Sequence, residues 1–168
     1  TAADLPNLCG LLVFGTPPLQ DPPRFDLAFH SHPSTKFIFQ EQLSDVEISL
    51  WAQAQGLSLD VAQRVIQAMH LTDPKCRSSL AKSISRGELR DECAILRRLA
   101  YPVAILHGEQ DPFVNRDYMN GLHLPGIWRD CVTILPNVGH SPQLADPKKF
   151  DAILLDFVSY CLKNAACH

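Results

Sequence analysis

The stretch Pro102-Val103-Ala104-Ile105-Leu106-His107-Gly108-Glu109-Gln110-Asp111-Pro112 decides how the rest of this chain is read. An unbroken apolar run between a proline and a glycine suits a strand buried on both faces, the habit of parallel sheets. Gly108 ends the run, and a carboxylate follows at Asp111. Open α/β sheets carry their reactive side chains just beyond the C-terminal edge of such strands. Asp111 therefore stands where chemistry is expected.

Downstream, Cys131-Val132-Thr133-Ile134-Leu135 repeats the pattern and is stopped by Pro136. Its exit is Asn137-Val138-Gly139-His140-Ser141-Pro142, which supplies an imidazole at His140. Upstream, Leu8 to Phe14 forms a third run, closed by Gly15-Thr16-Pro17-Pro18. The three runs, near 9–14, 102–107 and 131–135, are expected to be parallel and adjacent in that order. A closing helix begins with Asp146 as N-cap and Pro147 in the first turn. Phe150, Ile153, Leu154, Phe157, Val158 and Cys161 form its apolar face, at the spacing of a helix lying on a sheet.

Between the first two strands the pattern is helical. Prolines 17, 18, 22 and 23 make an extended connection that runs to His32-Pro33. Ser44-Asp45-Val46-Glu47 is a capping box, followed by Ile48, Trp51 and Gln55 at turn spacing and a stop at Gly56. Ser58 or Asp60 opens a second helix carrying Val61, Val65 and Met69. Thr72 is expected to cap a third helix, with Leu80 and Ile84 on one face. A fourth, from Leu89 to Leu99, aligns Leu89, Cys93, Leu96 and Leu99. A short helix over Asp117 to Leu122 follows the second strand.

The chemistry lies in the pairing of the two loops. A carboxylate that accepts the Nδ1–H of His140 fixes the ring's tautomer and stabilises the imidazolium, leaving Nε2 as a base toward a hydroxyl or water. Either residue alone has a plain structural explanation, since Asx side chains bond local backbone in turns. Both together, at the ends of two successive strands, make Asp111 and His140 the catalytic candidates. Glu109 is the alternative acid, and Asp146 is explained as a helix cap. Ser141 directly follows His140 on the same loop, which does not suit a nucleophile. His30 and His32 fall in the proline-rich connection as exposed residues, of which one could line a pocket. His70 and His123 are surface residues, and Phe25, Phe29, Phe37, Phe39 and Trp51 form the core of the helical region, although some of them could face a mostly apolar substrate.

These loops resemble the α/β-hydrolase family. Residues 102–112 are similar to its seventh strand and acid loop. Val138-Gly139-His140-Ser141-Pro142, with Asp146-Pro147 and the final helix, is similar to its histidine loop and last helix. Leu11 to Pro18 resembles the sixth strand and its exit. The resemblance implies an α/β fold: a partial sheet of three parallel strands with an inserted helical cap. Residues 1–19 and 100–168 would form the core and 20–99 the cap. It also implies a hydrolase that acts on an ester-like or similar small apolar substrate through a nucleophile, His140 and Asp111, with no cofactor and no metal. The family's nucleophile sits in a G-x-S-x-G elbow, and these 168 residues contain none. The chain is therefore expected to be a C-terminal portion, inactive alone, that pairs with an N-terminal half or with itself. The alternatives are a non-catalytic relative that binds a ligand or partner, and a truncated product without function.

Composition narrows the remaining classes. Apolar residues make up 46% and charged residues 20%, enough for a buried core. The 15 Lys and Arg are scattered and the net charge is −3, which argues against a nucleic-acid partner. No run is long enough to span a bilayer, and the opening Thr1-Ala2-Ala3-Asp4 shows neither a basic region nor an apolar signal core. Six cysteines include no C-x-x-C pair and are expected to be mostly small buried residues rather than disulfides or zinc ligands. With no Asn-x-Ser/Thr site, a cytoplasmic location is expected.

Overall fold

Val103 to Gly108 form a central strand buried along its whole length. A computed structural model describes residues 8–165 of the chain. In it β1 (Leu11–Phe14), β2 (Val103–Gly108) and β3 (Thr133–Leu135) make a parallel sheet in the order β1-β2-β3. Leu11 stands opposite Val103 and Phe14 opposite Leu106, while Leu106 faces Thr133 and Gly108 faces Leu135.

Alternation along β2 divides the core in two. Val103 and Ile105 pack with Leu96, Val114, Met119 and Leu124 on one face. Ala104 meets Trp128, Phe157 and Cys161 on the other, and Leu106 meets Val138 and Phe150. Helix α8 (Pro147–Ala165) covers this second face. On the first face lie α5 (Glu92–Arg98) and α6 (Arg116–Asn120). Burial on both faces accounts for the unbroken apolar run.

The remaining elements are α1 (Phe25–Ala28), a 3₁₀ helix over Pro33–Phe39, α2 (Asp45–Ala54), α3 (Leu59–Leu71), α4 (Lys75–Ser85), a 3₁₀ turn at Trp128–Asp130 and α7 (Pro142–Ala145). Ser44 and Glu47 form the expected capping box at α2. Asp146 caps α8 through a carboxylate that accepts the Lys149 amide at 3.0 Å.

Several expectations are corrected. The first strand starts at Leu11 because Leu11 donates to the Pro102 carbonyl, and the next ladder bond upstream would need an amide that Pro102 lacks. The third strand starts at Thr133, after Arg129 and Asp130 adopt left-handed backbone. Thr72 ends α3, its hydroxyl donating to Ala68, and the Asp73 carboxylate accepts the first amide of α4 instead. Leu89 lies outside α5, which begins where Asp91 accepts the Ala94 amide. Val158 is exposed rather than seated on the sheet. His32 is half-buried, not exposed. The five described cysteines are free, but only Cys93 and Cys161 of them are buried; Cys76 and Cys131 are exposed, and Cys167 lies outside the described residues.

Candidate active site

All three strands deliver their exits to one place. Gly15, with φ +70°, closes β1 beside the His140 carbonyl. The loop after β2 is tied to the exit of β3, for Glu109 N–H donates to Leu135 and Gln110 N–H to Val138. Asn137, at φ 60°, turns the chain toward Gly139 and His140. A Cβ on Gly108 would lie 2.1 Å from the Gly139 oxygen, so only glycine lets the two loops approach this closely.

This approach brings Asp111 and His140 together. His140 Nδ1 lies 2.9 Å from Asp111 Oδ2, and the Asp111 side chain is 2% exposed against 18% for His140. Asp111 Oδ1 accepts the amides of Phe113 at 2.8 Å and Val114 at 3.2 Å. Burial alone would raise the carboxyl's pKa. The hydrogen bond and charge of His140, with the two amides, outweigh burial and hold it below the ordinary value. An ionised carboxylate only accepts, so Nδ1 carries the hydrogen, and in the neutral ring Nε2 is the nitrogen with the free lone pair.

The other candidates fall elsewhere. Glu109 is exposed and accepts the Asn137 amide. Ser141 is buried, its hydroxyl donating to Gln55 Oε1. His30 is exposed and lines a cavity of about 230 Å³ beside Asp111, with His107 and Arg116. His32 accepts the Ser34 amide and sets its ring edge-on to Phe113 at 5.0 Å.

Three neighbours, His107, Phe113 and Gln55, escaped the sequence reading as site residues, and Trp51 entered it only as a helical-region aromatic that could face substrate. His107, 4% exposed, places Nδ1 4.0 Å from Asp111 Oδ2. Its pKa is lowered, chiefly by burial, against the pull of Asp111 in the other direction. Phe113 meets the His140 ring at 4.9 Å in a T-shape. Trp51 stacks on Phe113 at 5.1 Å and meets His140 in a T-shape at 6.4 Å. Gln55 holds Ser141. The turn spacing of Trp51 and Gln55 marked them as one helix face, but nothing local says which loops that face meets. A larger groove of about 830 Å³ opens at the far end of the strands, near Cys9, Pro102 and Gly126, away from the dyad. Among the described residues no His, Cys, Asp and Glu group could hold a metal, and no helix is long and apolar enough to cross a membrane.

No family model and no curated protein matches the chain. Solved structures do match. A variant of the N-acyl homoserine lactonase AidH, complexed with N-hexanoyl homoserine lactone, superposes with a TM-score of 0.85 at 24% identity, over 96% of this chain and 59% of that one. A thermophilic esterase from Thermogutta terrifontis gives 0.65 at 15% identity, over 95% and 59%. The esterase RhEst1 from a Rhodococcus species gives 0.61 at 16%, over 90% and 56%. The chain has the α/β-hydrolase fold. It spans less than two thirds of each of these structures. Within this fold, the expected sheet of three parallel strands is present, in the expected order.

Proposed function

We propose that this chain supplies the base and the orienting acid of an α/β-hydrolase that cleaves an ester-like bond, a lactone included. The observation that carries the reading is the 2.9 Å bond between His140 Nδ1 and a buried, ionised Asp111. The esterases and the lactonase among similar structures support the reaction class.

In this reading His140 Nε2 takes a proton from the nucleophile, or from water in the deacylating step, and returns it to the leaving oxygen. Asp111 stays ionised throughout and stabilises the imidazolium. The attacking group comes from a segment outside these 168 residues, which contain no nucleophile elbow. β1 pairs only with β2 among the described residues, so its other edge is open to such a segment. Residues 20–99 act as the cap. From it Trp51, with Phe113 below, sets an aromatic wall beside the imidazole, suited to a small apolar acyl group.

The test compares hydrolysis of 4-nitrophenyl esters and N-acyl lactones by this chain alone and by the chain joined to its upstream coding sequence. The joined protein is expected to turn over, and His140→Ala to abolish it. The chain alone should show no His140-dependent turnover, since removing a single oxyanion donor already costs about 10²–10³. Robust turnover by the chain alone would place a nucleophile within it. Turnover of the joined protein that survives His140→Ala would remove His140 from the chemistry.

A further inference from the structure

Helix α2 packs against both of the loops that carry the dyad. Trp51 lies on Phe113, the second residue after Asp111, and meets the His140 ring in a T-shape. One turn later the helix ends at Gln55, 5% exposed, whose Oε1 accepts the hydroxyl of Ser141, 8% exposed, at 2.5 Å. The backbones are closer still. A Cβ on Gly139 would lie 2.3 Å from the Gln55 carbonyl oxygen, and on its other side Gly139 meets Gly108. The residue before His140 is thus held between the end of β2 and the end of α2, and the residue after it is bonded to α2.

From this arrangement we propose that α2 sets the aim of His140, with Gln55 as the positioning residue acting through Ser141. The inference rests on the reading of His140 as the base and deepens it. A single bond from Nδ1 to Asp111 fixes one end of the imidazole, but the ring can still swing if the backbone beneath it moves. Pinning the residues on both sides removes that freedom. The Ser141–Gln55 bond is shielded from water, so no solvent molecule readily replaces a lost partner. The helical region would then serve catalysis from outside the substrate pocket, holding Nε2 on the line to the nucleophile. Misplacement by about 1 Å can cost roughly 10²-fold in rate.

The experiment follows the Nδ1–H signal of His140 by NMR in the ¹⁵N-labelled chain. Gln55→Met removes the acceptor at similar length, Ser141→Ala removes the donor, and Gln55→Glu keeps an acceptor oxygen. Exchange of the Nδ1–H with water should rise roughly tenfold, the factor set by one lost buried hydrogen bond, in Gln55→Met and in Ser141→Ala. The double variant should be no faster than either, and Gln55→Glu should stay near the parent. The Phe113 and Val114 amides, bonded to Asp111 Oδ1, should keep their protection and so separate lost aim from unfolding. Unchanged Nδ1–H exchange in a folded Ser141→Ala chain overturns the proposal, even where Gln55→Met does not fold. The readout needs no turnover, so failure of the hydrolase reading would surface separately, in the ester assay.

Discussion

Asp111 accepts three hydrogen bonds on two oxygens, two from backbone amides and one from His140. Those bonds favour the charged form, so its pKa is depressed on folding. Its stabilising contribution is complete above the unfolded value, about 3.9, and is lost as the pH falls through the folded one. His107 loses stability over a different range. Burial lowers its pKa, so the folded chain holds it neutral while the unfolded chain takes a proton near pH 6.5. Unfolding therefore binds an extra proton below that pH, and stability declines there. Thermal midpoints measured from pH 8 to 5 should fall below about pH 6.5 in the parent and markedly less in His107→Asn. Parallel curves would mean that His107 gains no proton on unfolding. His107 was legible only as the end of a strand; its burial against a carboxylate four residues on depends on how the loop folds back.

Among the elements, two loops meet at a pair of glycines. Gly108 ends β2 and Gly139 precedes His140, and neither has room for a Cβ. Gly108→Ala should therefore force the histidine loop away from β2, at a cost of about 1–3 kcal/mol from overpacking alone. Urea unfolding should show a lower midpoint with an unchanged slope, and an unshifted midpoint would mean the loops part without strain. The strands, the capping box of α2 and the cap of α8 were legible because each rests on local signals: an apolar run, a Ser and Glu three apart, an Asp before a Pro. Thr72 misled for a local reason too. Asp73 stands next to it, and the better acceptor took the α4 amide. The 3₁₀ helix at Pro33–Phe39 was hidden by prolines that signal extended chain just before it. The contact of α2 with both loops was not legible, because it joins residues 62 to 89 positions apart, and a helix face names no partner.

Across the whole molecule, the sequence carried the sheet order because parallel strands joined by helices admit few arrangements. Asp111 and His140, nearly thirty residues apart in sequence, converge because each follows a strand of that sheet at the same edge. If the two act as one unit, their substitutions cannot be independent. The decisive measurement is ester hydrolysis by the chain joined to its upstream coding sequence, with Asp111→Asn and His140→Ala made singly and together. Asp111→Asn should lower kcat by roughly 10⁴-fold and His140→Ala by about 10⁶-fold, and the double variant should be no slower than the slower single one. Multiplying losses, or a single variant that keeps the parent rate, would contradict a His140 base oriented by Asp111.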